Sequence, residues 1–323
     1  MLFTKNLEEV VFTCHNNLRD VDELIILSGY LGPNPVARLE ELPFGSKIIY
    51  GMYGSEGIKS KLHNSLKSIQ ESSPPTLNIY YSKIPVHSKC YLWRRHGEII
   101  HALIGSANFS VNGLTTPLRE VLADVPTDIY SSLNDYVELV LANSVTCLDV
   151  VTRIISGSAI IGVTQTGNCL LSLLMRDGEI HNAAGLNWGQ NPNNHTNPND
   201  AYIPITVEQI RAFPLLFPQK QIVQPTISGE GRAQRHNDSI DIIWDDGRTM
   251  RGLLEGNAMI DEVKYPKQIS SSPVKCELGK YIRERIGVPL GQRVTKSDLE
   301  NYGRTNIEVT LLEDGIYSFD FSV

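Results

Sequence analysis

Residues 86–108 read VHSKCYLWRRHGEIIHALIGSAN, and this stretch decides how the N-terminal half folds. Two runs with strand character, KCYLWRR and EIIHALIG, are separated only by His96-Gly97, the two-residue connection of a β-hairpin. His87 and Lys89 stand at the mouth of the first strand, and Gly105-Ser106-Ala107-Asn108 closes the second. Working outward, NLEEVVFTCHNNL has helical spacing, DELIILSGYLG and KIIYGMYG read as buried strands, IKSKLHNSLKSIQES as a helix and LNIYYS as a further strand. Downstream, EVLADV predicts a short strand and IYSSLNDYVELVLANS a helix. The alternation predicts an α/β domain, a mixed sheet with helices on both faces.

Alternation along a strand puts His87 and Lys89 on one face, where both can reach one cluster of phosphate oxygens. An imidazole there can attack phosphorus, and an ammonium can neutralise the non-bridging oxygens. Ser106 and Asn108 repeat the spacing with a hydroxyl and an amide. Glu120, read as lying on the following strand, can hold an imidazole in its reactive tautomer. H-x-K by itself occurs by chance in many proteins. The constellation of H-x-K, hairpin, G-S-x-N and then Glu is far more restrictive, and it resembles the signature of the phospholipase D superfamily. One departure stands out: many members carry Asp five residues after the lysine, where this chain has Arg94. The resemblance implies phosphodiester chemistry and leaves the substrate open.

The second half changes character. CLLSLLM, AYIPI, SIDIIW, TMRGLLEG, NIEVTLLE and IYSFDFS predict strands separated by Gly, Asn and Asp turns, with only two helices, around TVEQIRAF and LGKYIRERI. A mostly β barrel or sandwich is expected, joined to the first domain near residues 150–167, where no period is clear. The one low-complexity tract, GQNPNNHTNPND, is an Asn-rich loop.

Several further segments sharpen the resemblance: SGYLGPNPV (28–36), YGMYGSEGI (50–58), GLNWGQ (185–190) with AYIPI (201–205), WDDG (244–247), LEGN (254–257), and LGKYIRERIGV (278–288) with DLENYGRTNI (298–307). Together they look like the restriction endonucleases of the NgoFVII and BfiI type. That resemblance implies a phospholipase D-like nuclease and dimerisation domain over residues 1–160 and a B3-like pseudobarrel that binds DNA over 161–323. It further implies two arms entering the major groove. The first would carry Asn187, Trp188, Gln190, Asn191 and Asn193, whose amides and indole suit base edges. The second would carry Lys264, Lys267, Gln268 and Ser271, with Arg232, Arg235 and Arg248 as phosphate contacts. An Asn-rich loop is also what an ordinary solvated turn looks like, and single lysines are usually solvated charges.

Composition bounds these readings. The 323 residues suggest two domains; 41% are apolar and 20% charged, as in an ordinary globular protein. The net charge is −7, with 13 Lys and Arg against 16 Asp and Glu in residues 1–165 and 16 against 20 beyond, so a uniformly basic nucleic-acid binder is excluded. A locally basic groove is not, because phosphate binding needs only a clustered handful of cations. Five scattered cysteines without a C-x-x-C pair argue against disulfides and zinc ribbons. No apolar run approaches the ~20 residues that cross a bilayer, and the N-terminus does not read as a secretory signal, so no membrane partner is expected and a bacterial cytoplasmic location is.

Two decoys resemble other chemistry. Asp245-Asp246 followed by Glu262-Val263-Lys264 echoes the D…E-x-K pattern of metal-dependent nucleases. His181, His195 and His236 lack the regular spacing of a zinc site. No phosphate-binding G-x-x-x-x-G-K-[ST] loop occurs, so ATP would enter only through a separate ATPase subunit, which some relatives use. The expectation is a metal-independent endonuclease acting on double-stranded DNA through a covalent phosphohistidine. Because H-x-K with G-S-x-N occurs once, and His63, His96 and His101 lack that context, the second histidine of this chemistry would come from a second copy in a homodimer. The rivals are a non-catalytic DNA-binding protein, which His87→Ala would leave unaffected, and a phospholipid hydrolase, for which no basic amphipathic helix is evident.

Overall fold

The computed structural model describes residues 1–73, 75–150, 168–191, 196–220 and 237–323. The chain divides into two compact units, Met1–Ile160 and Ile161–Val323, with the division falling outside the described residues.

The first unit holds strands β1 (Leu2–Phe3), β2 (Glu23–Ser28), β3 (Gly45–Tyr50), β4 (Leu77–Ser82), β5 (Cys90–Arg95), β6 (Glu98–Gly105), β7 (Leu122–Asp124) and β8 (Ser144–Thr146), in the order β1-β7-β6-β5-β2-β3-β4-β8. Pairing is parallel across β2, β3 and β4 and antiparallel elsewhere, so the sheet is mixed. Leu24 to Ser28 of β2 are all buried, which is why this strand reads as a continuous apolar run. The helices are α1 (Leu7–Thr13), α2 (Pro33–Arg38), α3 (Tyr53–Glu56), α4 (Ser60–Ser72), α5 (Val111–Thr115) and α6 (Tyr130–Ala142). Val137 and Val140 of α6 join Ile25, Leu27, Ile49, Leu92 and Ala102 in one apolar cluster against the sheet. Arg94 is buried beside that helix, with Nη1 2.6 Å from Glu138 and 3.6 Å from Glu23, and Nη2 donating to Asn134 at 2.6 Å. The departure at this position therefore ties a helix to the sheet.

The second unit holds β9 (Cys169–Ser172), β10 (Tyr202–Pro204), β11 (Asp238–Trp244), β12 (Thr249–Glu255), β13 (Ala258–Ile260), β14 (Val263–Tyr265), β15 (Gln268–Ser271), β16 (Asn306–Glu313) and β17 (Ile316–Asp320). Seven form one sheet, β10-β15-β12-β11-β17-β16-β9, whose edge strands β9 and β10 approach each other; β13 and β14 form a separate ribbon. The curled sheet encloses a core in which Trp244 packs on Tyr281 and Phe319 at ring separations of 4.3 and 5.2 Å. The helices are α7 (Val207–Ala212), α8 (Cys276–Ile286) and α9 (Lys296–Tyr302). The last corrects the expectation of two helices. Its signal was present: Thr295 and Asp298 form a reciprocal capping box, and Gly303 ends the helix at φ 98°.

Candidate active site and DNA-binding unit

The hairpin forms as expected. His96 and Gly97 both take positive φ, 52° and 82°, the conformation a two-residue turn between twisted strands requires. It pairs Cys90 with Ile104, and the Gly105 N–H donates to the Lys89 carbonyl at 3.2 Å, so the segments before β5 and after β6 lie side by side. Antiparallel pairing of Leu27 with Cys90 adds the end of β2, and three loops meet at one edge of the sheet.

His87 and Lys89 lie in the extended segment just ahead of β5, outside the strand itself. His87 is exposed and Lys89 is buried at 5% exposure. The Lys89 ammonium sits 3.0 Å from His87 Nδ1 and 3.3 Å from Nε2, and donates to the His87 carbonyl at 2.6 Å. Asn108 presents Oδ1 to the Tyr30 N–H at 3.3 Å and to the Ser28 hydroxyl at 3.4 Å, so its amide protons are the end that can meet an anion. Ser106 accepts from the Val121 N–H at 3.1 Å through Oγ, a role that keeps its hydroxyl proton for donation. A Cβ added to Gly29 would lie 3.0 Å from His87 Cδ2, 3.3 Å from Lys89 Nζ and 3.4 Å from Asn108 Oδ1. The three side chains thus converge on a spot that only a glycine leaves open.

Burial holds the Lys89 ammonium below the usual lysine range, while the Glu120 carboxylate acts in the opposite direction. Glu120 lies in the loop preceding β7, not on the strand; it approaches Arg119 at 3.8 Å, and its charge bears on Lys89. Burial raises the Cys90 thiol to about 11, which removes it as a nucleophile at neutral pH. Four residues here escape sequence reasoning. Ser28 accepts from the Phe109 N–H at 3.0 Å and donates to the Tyr30 carbonyl at 2.7 Å; Tyr91, fully buried, donates to the Ala107 carbonyl at 2.8 Å. Gly29 and Tyr30 complete the set. The segment SGYLGPNPV at the end of the apolar run carried the family resemblance but assigned these residues no role.

In the second unit, several residues named as base readers are part of the framework. Asn187 is 1% exposed; its Nδ2 donates to the carbonyls of Val294 (2.8 Å) and His181 (3.2 Å), and its Oδ1 accepts from the Val294 N–H (2.8 Å). Gln190 donates through Nε2 to the carbonyls of Pro198 (2.9 Å) and Gly291 (2.8 Å). Ser271, fully buried, donates to the Val274 carbonyl and accepts from the Leu278 N–H at the start of α8. In each of these residues the side-chain donors already have partners within the fold. Arg283 completes the brace, its buried guanidinium reaching the carbonyls of Gln292, Gly279 and Leu186 at 2.9–3.1 Å.

Trp188 stacks edge-on to Tyr202 at 5.7 Å, and Asn191 is half-buried. Arg248 pairs with Glu284 at 2.7 Å and lies over Tyr281, and Gln268 donates to Glu255 at 3.0 Å. Lys264 and Lys267 are exposed. Asn193, Arg232 and Arg235, with His195 and His236, lie outside the described residues.

The carboxylate decoy comes apart. Asp245 is held by Arg285 at 2.8 and 3.2 Å and accepts from the Phe321 N–H, while Glu262 sits at the tip of the β13–β14 ribbon with φ 66°. Among the described residues no group of three or more His, Cys, Asp or Glu could hold a metal ion, and no helix is long and apolar enough to cross a membrane.

Comparison with known proteins returns two matched family models. Residues 5–152 match the NgoFVII restriction endonuclease N-terminal PLD domain, and residues 162–313 match the NgoFVII C-terminal B3-like DNA-binding domain. Among solved structures, NucT from Helicobacter pylori aligns at 15% identity and TM-score 0.34, covering 45% of this chain and 97% of that one. A polyphosphate kinase from Porphyromonas gingivalis aligns at 11% identity and TM-score 0.31, covering 45% of this chain and 23% of that one. No curated protein matches this chain. With one family's two models spanning both units, the chain belongs to the NgoFVII restriction endonuclease family and is a DNA-cleaving hydrolase in which a PLD nuclease domain precedes a B3-like DNA-binding domain.

Proposed function

We propose that the enzyme cuts DNA through a covalent phosphohistidine, without a metal ion, at a site completed by a second copy of the chain. The observation that carries this reading is the Lys89 ammonium buried against the imidazole of exposed His87, beside the Asn108 amide. A fixed cation at the mouth supplies the charge stabilisation that phosphoryl transfer otherwise draws from metal ions.

A ring nitrogen of His87 gives its electron pair to the scissile phosphorus as the bond to the leaving sugar oxygen breaks. His87 of the partner subunit protonates that oxygen. Water then attacks phosphorus, giving its proton to the second imidazole, and the N–P bond breaks to restore His87. Lys89 and Asn108 hold the non-bridging oxygens, Ser106 supports them, and Glu120 orients an imidazole. The exposed apolar side chains of Ile104, two residues before Ser106, and Val121, bonded to it through the backbone, support an isologous contact at this edge. Trp188, Asn191, Asn193, Lys264, Lys267, Arg232 and Arg235 are the DNA contacts of the B3-like unit in this reading, and cleavage itself consumes no ATP.

The test is digestion of a plasmid of known sequence with and without EDTA, alongside His87→Ala. Cutting should persist in EDTA and vanish in the variant while DNA binding remains. Metal-dependent cutting that survives His87→Ala and is lost in Glu262→Ala would overturn the reading. Sedimentation should give twice the 36.0 kDa chain mass, and excess His87→Ala chains should suppress wild-type activity on subunit exchange.

A further inference from the structure

We propose that Tyr30 is a positioning residue for His87, fixing the plane of the imidazole from which attack begins, and that Glu56 holds Tyr30 in place; this rests on the phosphohistidine reading above. Lys89 restrains the ring only at its nitrogens, with the ammonium 3.0 Å from Nδ1 and 3.3 Å from Nε2. His87 is exposed, and a surface imidazole turns readily unless something packs against it.

Tyr30 does so. Its ring meets His87 edge-to-face, with centroids 5.7 Å apart and planes at 78°. The same ring packs at 6.1 Å on Tyr50, which is 1% exposed and belongs to the sheet. The Tyr30 N–H donates to Asn108 Oδ1 at 3.3 Å and its carbonyl accepts from Ser28 at 2.7 Å, so the residue touching the nucleophile also touches the phosphate-binding amide. The phenol donates to the Glu56 carboxylate, at 3.0 and 3.2 Å from its two oxygens. Backbone, ring and hydroxyl are each anchored to a different element, more restraint than a half-buried loop tyrosine needs for stability alone.

The experiment uses the full-length chain and a plasmid it cuts, with Tyr30→Leu, Tyr30→Phe and Glu56→Gln compared at saturating DNA. Each variant is also treated with diethyl pyrocarbonate, and modification of His87 is followed by mass spectrometry against exposed His96. Tyr30→Leu should lower kcat about 100-fold with KM nearly unchanged, the scale expected when a reacting group is misplaced by about 1 Å. Tyr30→Phe should recover all but about fivefold, and Glu56→Gln should fall beside it. The His87 modification rate should change in Tyr30→Leu while that of His96 does not. A folded Tyr30→Leu with kcat within about threefold of the parent, or with a raised KM at unchanged kcat, overturns the proposal. Should that variant not fold, Glu56→Gln decides, since its carboxylate is exposed: wild-type kcat and wild-type His87 reactivity overturn the proposal. Cutting that survives His87→Ala refutes the phosphohistidine reading itself, whereas a silent Tyr30 beside an inactive His87→Ala removes only the positioning role.

Discussion

The two units treat their polar residues in opposite ways. At the edge of the first sheet, His87, Lys89, Ser106 and Asn108 gather around an open spot, with an exposed imidazole and donors still able to bind an anion. In the second unit, the amides that look most like base readers, Asn187 and Gln190, are bonded to the carbonyls of Val294, His181, Pro198 and Gly291. Amide-rich sequence is therefore a poor pointer to DNA recognition until the hydrogen bonds of the folded chain have been counted. At the candidate site of the first unit the polar groups face solvent or one another instead.

Four substitutions probe this contrast. The largest expected effect is at Lys89. Lys89→Met should lower the cleavage rate by about 100- to 1000-fold, as loss of a charge-stabilising donor does. Burial depresses the folded-state pKa of this ammonium, so between that pKa and the usual lysine value the unfolded chain binds the proton that the native one lacks, and stability rises with pH. Its charge is thus a cost to the fold present below the folded pKa, and Lys89→Met should raise the melting temperature as it removes activity. For the same reason the wild-type rate should fall on the alkaline side before an ordinary lysine would titrate. A variant that loses both activity and stability would show that the cation serves the fold.

Next is Asn187→Ala, which leaves two carbonyls and one N–H of the brace unpaired. It should destabilise the second unit by about 3 kcal/mol, read by denaturant titration, without altering His87 chemistry at temperatures where the unit stays folded. A stable Asn187→Ala that relaxes sequence preference would return Asn187 to the readers and break the contrast. The smallest effect belongs to Lys264→Ala or Lys267→Ala. Each should leave stability unchanged, weaken binding to all DNA sequences alike, and reduce the slope of log affinity against log salt by about one. A change in which sequence is preferred would show that these lysines meet bases.

Much of the first unit was legible before folding. The β2 run, the hairpin at His96-Gly97 and the α6 pattern are local signals, and the H-x-K and G-S-x-N pairs flank the hairpin that joins them. The short elements α2, α5 and β8 were not, since a handful of residues carries too little periodicity to register. Glu120 was assigned to a strand that begins only at Leu122.

By itself, the sequence determined that the H-x-K and G-S-x-N motifs lie together, because a two-residue turn forces two adjacent strands side by side and with them the motifs at their ends. Which residues surround those motifs was decided only by the tertiary structure. Ser28, Gly29 and Tyr30 reach His87 and Asn108 through pairing between strands about sixty residues apart in the chain. Likewise, the commitment of Asn187 depends on Val294, 107 residues away. Long-range pairing satisfies or exposes a donor according to what the fold places opposite it, and no local pattern encodes that partner.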